Sequence, residues 1–371
     1  MDEENKKGQQ YKLRISEQEL TMLQALPLEV KIQKTLHRIE EFYQYFGGNV
    51  YISFSGGKDS TVLLYLARQL YPDIPVVFCD TWMEYPEVRK FTKLIYGVTR
   101  LKPKRSMKEI LEEFGWNFPS KDVANCIYYA RKGSLWALRK LQGLNSDGSY
   151  CEYKQQYKKW SYLLDLPHTI SDGCCIEMKE KPLMAYEKES KKYPIVALMA
   201  AEKGRRKQAY LRTGCNSFES DRPMSKPMGF WTEQDVLRFL LLKKQAILQM
   251  IHSDMRKNGM NEEQIAKRTN PWADTYGEIV EKTKMPGQVT VQWLFGDFEH
   301  MILQTTQEER TGCMFCPVGC HLDGGAKYKR LKKKYQKIYQ FFMKPVEEGG
   351  YGLGQFLKDI QLKEDLYDKT E

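Results

Sequence analysis

One short stretch constrains this chain more than any other, a glycine-rich turn between a predicted strand and a predicted helix. Residues 49–54 (NVYISF) are β-branched, aromatic and apolar, as in a buried strand, and residues 61–66 (TVLLYL) are apolar at helical spacing. Between them lies SGGKDS, residues 55–60, where Ser60 or Asp59 is placed to cap the helix. Such a turn directs backbone N–H groups and the positive end of a helix at one point, which predicts a phosphate site.

The two glycines of the turn let the backbone approach an anion, because Gly56 and Gly57 carry no Cβ. The turn is not a Walker A loop, since that loop has four residues between its glycines and Ser or Thr directly after Lys. Here Asp59 follows Lys58. The alternative interpretation is a Gly-Gly turn with a solvated lysine.

A second apolar run, residues 74–79 (IPVVFC), is followed by Asp80 and Thr81. Two strands joined by one helix form a βαβ unit with parallel strands. Ligands of such sheets bind beyond the carboxyl ends of the strands, so we expect Asp80 and Thr81 to face the same crevice as Lys58. Hydrophobic patterning predicts three more elements, namely strands at residues 98–101 and 194–199 and a helix at residues 107–114.

The SGGKDS turn resembles the PP-loop of the ATP pyrophosphatase (adenine nucleotide α-hydrolase) superfamily, which splits ATP between the α and β phosphates. From Tyr51 to Cys320 the order of motifs resembles the phosphoadenosine phosphosulfate (PAPS) reductase-like family, including Asp-Thr and Pro-Glu within residues 80–87 (DTWMEYPE). The resemblance implies an α/β fold with a five-stranded parallel sheet and flanking helices. It also implies ATP, adenylyl-sulfate or PAPS as the nucleotide.

The chain divides by pattern into three parts: an N-terminal helical segment (1–47), a nucleotide-binding domain (48–245) and a helical C-terminal region (246–371). Within the second part, residues 115–165 form a predicted helical insert rich in aromatic and cationic residues. Aromatics interleaved with Lys and Arg can stack bases and contact phosphates. The alternative is an amphipathic insert whose aromatics form a core and whose lysines are solvated.

The nine cysteines are expected to be reduced thiols or metal ligands rather than a disulfide framework. The N-terminus is charged and polar, unlike a signal peptide, and no apolar run is long enough to span a bilayer. We therefore expect a cytoplasmic protein without a membrane partner.

Four of the cysteines form two close pairs, Cys174 with Cys175 and Cys313 with Cys316. Four thiolates from two loops suit a tetrahedral zinc ion or an iron–sulfur cluster. Adjacent cysteines chelate one zinc ion awkwardly, whereas the separated corners of a [4Fe–4S] cube can take both, so we favour the cluster. A redox-active Cys-x-x-Cys and buried structural thiols are the alternatives.

The two pairs together resemble the [4Fe–4S] arrangement of assimilatory adenylyl-sulfate reductases. Similar cysteine motifs occur in relatives of the ATPase of DNA phosphorothioation. The resemblance extends to an Arg-rich family signature, in which Glu202 and Arg206 match, whereas Met199 and Lys203 replace an Arg and a Ser. Arg205 and Arg206 are candidate phosphate clamps, and a solvated cationic turn is the alternative.

The resemblance implies a set of nucleotide-binding residues: Ser53, Ser55, Gly56, Gly57, Lys58, Asp59, Ser60, Asp80, Thr81, Arg205 and Arg206. Four of them are assigned catalytic roles. Asp59 or Asp80 would bind Mg²⁺, while Lys58 and Arg206 would stabilise charge on the α phosphate.

The activity predicted from these motifs is ATP-dependent adenylation with pyrophosphate release, coupled to sulfur transfer. Reductases of this family attack sulfur with a cysteine in a C-terminal Glu-Cys-Gly-x-His tail, and this chain has no cysteine after Cys320. Cys320 and Cys215 are candidate sulfur carriers. The alternatives are a sulfonucleotide reductase that releases sulfite and a non-catalytic subunit that binds nucleotide or nucleic acid.

The predicted partners follow from charge and mechanism. A net charge of +10 and seven Lys or Arg within residues 327–337 favour a nucleic-acid acceptor, tRNA or DNA. One solvated helix face is the alternative for that basic run. A sulfur donor such as a cysteine desulfurase and a homodimeric state complete the expected set.

Overall fold

The computed structural model describes residues 13–202, 204–268, 273–282 and 302–360. Lys203 and the predicted terminal segments at residues 1–12 and 361–371 lie outside the described residues. The strands are β1 Val50–Ser53, β2 Val76–Cys79, β3 Val98–Leu101, β4 Tyr193–Val196, β5 Asn216–Ser217, β6 Met224–Ser225, β7 Ile279–Glu281 and β8 Leu303–Thr305. Those predicted from the hydrophobic runs near residues 50, 76, 98 and 194 are therefore present.

The helices alternate with these strands in the first hundred residues and predominate afterwards. They are α1 Glu17–Gln24, α2 Leu28–Tyr45, α3 Lys58–Leu70, α4 Pro86–Thr92, α5 Met107–Phe114, α6 Lys121–Arg131, α7 Leu135–Leu141, α8 Gln155–Lys158, α9 Gly173–Cys175, α10 Lys181–Ser190, α11 Gly204–Thr213, α12 Glu233–Leu242, α13 Lys244–Lys257, α14 Glu262–Ala266, α15 Ala273–Tyr276, α16 Ala326–Lys334, α17 Gln336–Met343 and α18 Leu353–Asp359. A π-helical turn, Ile176–Glu180, connects α9 to α10.

The main sheet has six strands in the order β3-β2-β1-β4-β6-β5. The first five are parallel, with Ile52 opposite Val76 and Ile195, and the two-residue β5 is antiparallel to β6 at the edge. This confirms the predicted α/β fold with a parallel sheet and adds one short antiparallel strand. Since β1 is central, the loop that follows it lies at the middle of the carboxyl edge of the sheet.

The chain forms two compact units. The first comprises residues 1–80, 84–101 and 185–311, and it contains the sheet; the second comprises residues 81–83, 102–184 and 312–371. The boundaries predicted at residues 47 and 245 stay predictions.

Each unit has an apolar interior of its own. In the first, strand residues such as Val50 and Ile52 pack with Leu63 and Phe239 from the flanking helices, and all four are fully or almost fully buried. In the second, Phe315 stacks on Phe342 with ring centroids 4.0 Å apart.

Local sequence signals explain several helix ends. Pro27 separates α1 from α2, as expected for a residue that cannot continue a helix. Thr232 and Asp235 form a capping box at the start of α12. The expected cap of α3 by Ser60 or Asp59 is wrong, because the helix begins at Lys58 with Gly57 as its N-cap.

Among the described residues, no helix combines the length and the hydropathy that crossing a bilayer requires.

Candidate functional site

The phosphate loop of the first unit, residues 54–60, joins β1 to α3 at the carboxyl edge of the sheet. Gly56 adopts a φ of +72°, and a Cβ at this position would lie 2.6 Å from Thr92 Cγ2 and 2.9 Å from Val88 Cγ1. Only glycine suits both the conformation and the space. The N-terminus of α3, whose first N–H groups have no partner within the helix, opens directly onto this turn.

Two serine hydroxyls hold the loop in shape. Ser55 Oγ and Ser60 Oγ are 3.0 Å apart, and the Gly57 N–H donates to Ser55 Oγ over 3.3 Å. Ser60 Oγ also donates to the Gly57 carbonyl over 2.9 Å, which explains why it does not cap α3. Ser53 ends β1 between its neighbours in β2 and β4. The loop residues predicted to bind nucleotide therefore lie together.

Lys58 is almost completely enclosed, with its side chain 3% exposed. Its Nζ donates to the Glu309 carbonyl over 2.8 Å and pairs with Glu233 Oε1 at 3.0 Å. Its backbone N–H donates to the Tyr276 hydroxyl over 3.1 Å, and that hydroxyl lies 2.8 Å from Thr311 Oγ1. The sequence contains no local signal for these four partners, since they are distant in the chain.

Asp59 differs from the other loop residues because one of its carboxylate oxygens is unsatisfied. Oδ1 is buried without a hydrogen-bond partner and lies 3.7 Å from Lys58 Nζ, although the side chain as a whole is 27% exposed. Burial raises the pKa of this carboxyl to about 6, against the lowering effect of Lys58. A buried carboxylate oxygen without a donor suits a hard cation, so these residues fit Mg²⁺.

Asp80, the other carboxylate predicted to bind Mg²⁺, has two arginine partners. Arg89 forms a two-pronged ion pair with it at 2.7 and 3.1 Å, and Arg100 Nη1 lies 2.9 Å from Oδ2. Arg100 lies in β3, next to β2, so the adjacent strand was a usable signal for this pair. The structure therefore favours Asp59 over Asp80 as a cation ligand. Thr81 belongs to the second unit, where its Oγ1 accepts from the Met83 N–H.

The four predicted ligand cysteines of the second unit line one cavity of about 420 Å³, measured together with its mouth. Cys174 and Cys175 come from α9, and Cys313 and Cys316 from the loop before α16. The Cys174 thiol donates to Cys175, which lowers the pKa of Cys175 to about 6 and raises that of Cys174. The Asn117 amide also donates to Cys175 Sγ, over 3.8 Å.

The chemistry of this donor set fits a thiolate-ligated cluster, since four thiols and an N–H···S contact surround one space. No three His, Cys, Asp or Glu side chains in the part of the chain that the structure describes are placed to hold a metal ion. The cluster therefore rests on the chemistry of the donor set alone.

Comparison with known proteins identifies the family. The model of the phosphoadenosine phosphosulfate reductase domain matches residues 49–320. The chain belongs to this family. PAPS reductase-like proteins include sulfonucleotide reductases and related nucleotide-binding enzymes, which agrees with a phosphate loop and an adenine nucleotide as ligand.

Two individual proteins also show partial similarity to this PAPS reductase-like chain. An uncharacterised protein of Methanocaldococcus jannaschii is 30% identical over 166 residues, which are 43% of this chain and 34% of the relative, so the chain spans about a third of that protein's length. The crystal structure of a PAPS reductase from Candida auris, in complex with phosphate, is 13% identical with a TM-score of 0.32. The match covers 62% of this chain and 88% of that one, and its TM-score is too low to transfer any feature.

In this PAPS reductase-like chain, the matching residues of the Arg-rich signature lie at and just before the start of α11. Arg206 pairs with Glu202, and Arg310 Nη1 lies 3.6 Å from the same carboxylate oxygen. Both Arg205 and Arg206 are exposed at the start of α11. A phosphate-clamping role for them stays a prediction.

The two candidate sulfur carriers are enclosed thiols. Cys320 is 2% exposed, and burial raises its pKa to about 12. Cys215 is half-buried beside Tyr210, whose hydroxyl lies 3.6 Å from its sulfur, and burial raises its pKa as well. Neither environment stabilises the thiolate that sulfur chemistry requires.

The predicted basic run forms α16 and the start of α17. Lys327 Nζ donates to the carbonyls of Cys313 and Cys316, over 3.1 and 3.4 Å, so this one lysine supports the cysteine loop. Five further cations of the run are exposed: Lys329, Arg330, Lys333, Lys334 and Lys337.

Proposed function

We propose that this chain is an ATP pyrophosphatase that adenylates an acceptor and couples the step to sulfur transfer onto nucleic acid. The observation that carries the proposal is the phosphate loop, where a helix N-terminus, a buried lysine and an unsatisfied carboxylate oxygen meet at one turn. Family membership supports an adenine nucleotide as its ligand.

The loop supplies positive potential to the β and γ phosphates. The backbone around Gly57 and the dipole of α3 attract anions, and Lys58 Nζ would exchange its present oxygen partners for phosphate oxygens. Asp59 would hold Mg²⁺, because Asp80 is already neutralised by two arginines. Mg²⁺ supplies charge neutralisation on the phosphates when it is bound.

In the proposed reaction, an acceptor oxygen attacks the α phosphorus, the bond to the β–γ unit breaks and pyrophosphate leaves. Lys58 and Arg206 supply the cations nearest the developing charge, and Arg206 is exposed enough to reorient from Glu202. The outer sulfur of a persulfide then attacks the adenylated centre, the bond to the AMP oxygen breaks and AMP leaves. A second thiol attacks the carrier's sulfur in the S–S bond so formed, so that the transferred sulfur stays on the acceptor as a thiolate and the carrier leaves as a disulfide.

The cavity of the second unit is the proposed place of a [4Fe–4S] cluster with Cys174, Cys175, Cys313 and Cys316 as ligands. Such a cluster supplies electron-transfer chemistry when it is bound. Asn117 would orient Cys175 through its N–H···S contact.

A nucleic-acid acceptor is supported by exposed aromatics in the second unit. Tyr129 and Trp136 are 42% and 46% exposed, with ring centroids 5.9 Å apart, and Lys132 Nζ lies 4.1 Å from the adjacent Tyr128 ring. Other aromatics of the insert, such as Tyr157, are buried, as the alternative prediction of an aromatic core requires for them. Exposed rings beside cations are typical of surfaces that stack single-stranded bases.

A sulfonucleotide reductase is the second candidate function, favoured by the reductase family itself. It requires an accessible nucleophilic thiol. Cys320 is buried and Cys215 is half-buried, which argues against both.

The experiment that tests the proposal is a parallel anaerobic incubation with labelled ATP, adenylyl-sulfate or PAPS, with and without thiols, tRNA and single-stranded DNA. We expect AMP and pyrophosphate from ATP, stimulated by nucleic acid and lost in Lys58→Ala. Sulfite from a sulfonucleotide would instead identify a reductase. Tight ATP binding without any pyrophosphate would identify a non-catalytic subunit.

A further inference from the structure

We propose that Tyr276, Thr311 and Glu233 form a cap on the phosphate loop, which the phosphates of the nucleotide must displace in order to bind. The inference rests on the proposed function, because it concerns the same loop, and it adds control of access to that loop. All the residues involved belong to the first unit.

The two hydroxyls of the cap cover the backbone of the loop. Tyr276 accepts the Lys58 N–H over 3.1 Å and shares a 2.8 Å hydrogen bond with Thr311. A Cβ added to Gly57 would lie 2.8 Å from Thr311 Oγ1 and 3.0 Å from the Tyr276 hydroxyl. The glycine face that would admit an anion therefore faces these two oxygens.

The ammonium group of Lys58 is likewise already paired, with the Glu233 carboxylate and the Glu309 carbonyl. Lys58 Nζ has both oxygens within 3.0 Å, and its side chain is almost completely enclosed. One backbone donor and one ammonium group, the two donors that a phosphate would use here, are thus already satisfied by oxygens of the protein.

This arrangement makes ligand and cap compete for the same donors. The apparent affinity is then reduced by the fraction of molecules in which the cap is open. Burial raises the pKa of Tyr276, so its hydroxyl stays neutral and is a weaker acceptor than a phosphate oxygen. A ligand with several charged oxygens, such as pyrophosphate or Mg·ATP, can therefore displace it.

Removal of one cap hydroxyl should strengthen binding. Tyr276→Phe keeps the ring but leaves the Lys58 N–H unsatisfied in the capped state only, so we expect binding about fivefold tighter. Thr311→Val and Glu233→Gln should act in the same direction. The matched control is Tyr210→Phe, which removes another buried tyrosine hydroxyl of the first unit, one whose partner is Cys215.

The measurement is isothermal titration of the full chain with inorganic pyrophosphate and with Mg·ATP, together with the melting temperature of each variant. Tighter binding by Tyr276→Phe and Thr311→Val, with Tyr210→Phe unchanged, supports the cap. A folded Tyr276→Phe that binds no more tightly than the wild type overturns it, since a purely structural tyrosine would behave in this way. If Tyr276→Phe does not fold, Thr311→Val and Glu233→Gln decide by the same criterion.

Failure of the proposed function gives a different result. If neither the wild type nor any cap variant binds pyrophosphate or Mg·ATP, the nucleotide site itself is wrong, and the cap fails with it. If the wild type binds and the cap variants bind no better, the cap alone fails.

Discussion

The phosphate loop and the cysteine cavity are built from opposite kinds of sequence information. The loop is one contiguous stretch between β1 and α3, and its shape is held by hydrogen bonds among residues 55–60. The cavity requires two segments far apart in the chain, residues 174–175 and 313–316, to converge. The hydrogen bonds that shape the loop are thus local in sequence, whereas the cavity requires contacts between residues far apart in the chain.

The two regions also differ in what occupies their polar groups. In the loop, Lys58 has oxygen partners from distant segments, and the buried Asp59 Oδ1 has no hydrogen-bond partner. In the cavity, the thiols contact one another and Asn117, whose Oδ1 is buried without a hydrogen bond. The polar groups of the loop are therefore mostly paired with protein oxygens, whereas those of the cavity include a buried amide oxygen without a partner.

The largest expected effect is the loss of cluster absorbance in variants of the cavity cysteines, which leaves the loop unchanged. If the proposed cluster is present, Cys175→Ser or Cys313→Ser should abolish the brown absorbance of anaerobically purified protein, because each would remove one of its proposed ligands. Cys151→Ser, which changes a cysteine outside the cavity, is the control and should keep its colour. Full absorbance in both ligand variants would show that the ligands are assigned wrongly.

The second largest expected effect is a loss of pyrophosphate release when the loop lysine is removed. Lys58→Ala should lower ATP-dependent pyrophosphate release by about 10²–10³-fold, since it removes the buried cation next to the phosphates. Its cluster absorbance should remain. Lys34→Ala removes an equal charge from the surface and should leave pyrophosphate release unchanged. Comparable rates in the two variants would exclude Lys58 from the reaction.

How much the sequence predicted depends on the distance between the residues involved. Contiguous patterns were sufficient for the loop and for β3, because local chemistry determines both of them. Neither Tyr276 as a partner of the Lys58 N–H nor Thr311 as a partner of Tyr276 could be predicted, since these contacts arise only from tertiary packing. The start of α3 was misplaced because Ser60 turns back onto the loop.

Asp59 and Asp80 looked equivalent in sequence and should differ in stability measurements. Asp80→Asn should destabilise the fold by about 3 kcal/mol, because it leaves Arg89 and Arg100 without their carboxylate. Thermal or urea unfolding of the variant at pH 7 measures this loss. An unchanged midpoint would mean that the ion pair contributes nothing to the fold.

Asp59→Asn, in contrast to Asp80→Asn, should stabilise the fold at neutral pH. Its folded-state pKa is raised from 3.8 to about 6, so the stability it contributes is complete below pH 3.8 and is lost as the pH rises through 6. The variant lacks this loss and should be more stable than the wild type at pH 7–8, by at most about 3 kcal/mol, with the difference vanishing near pH 4. A difference in melting temperature that is independent of pH would contradict the burial of an ionised Asp59.

The smallest expected effect tests whether the second unit binds nucleic acid through its exposed rings. Trp136→Ala should weaken binding of single-stranded RNA or DNA about fivefold to tenfold, since one base–aromatic stacking contact is lost. Leu135→Ala, at the neighbouring and more exposed position, removes apolar surface without a ring and should change affinity little. Fluorescence anisotropy with labelled 12-mers at two salt concentrations measures both. Base stacking depends weakly on salt, whereas phosphate contacts depend on it strongly. The loss of affinity in Trp136→Ala should therefore persist at high salt. A loss of affinity that disappears at high salt would assign the binding to the cations of α16 instead.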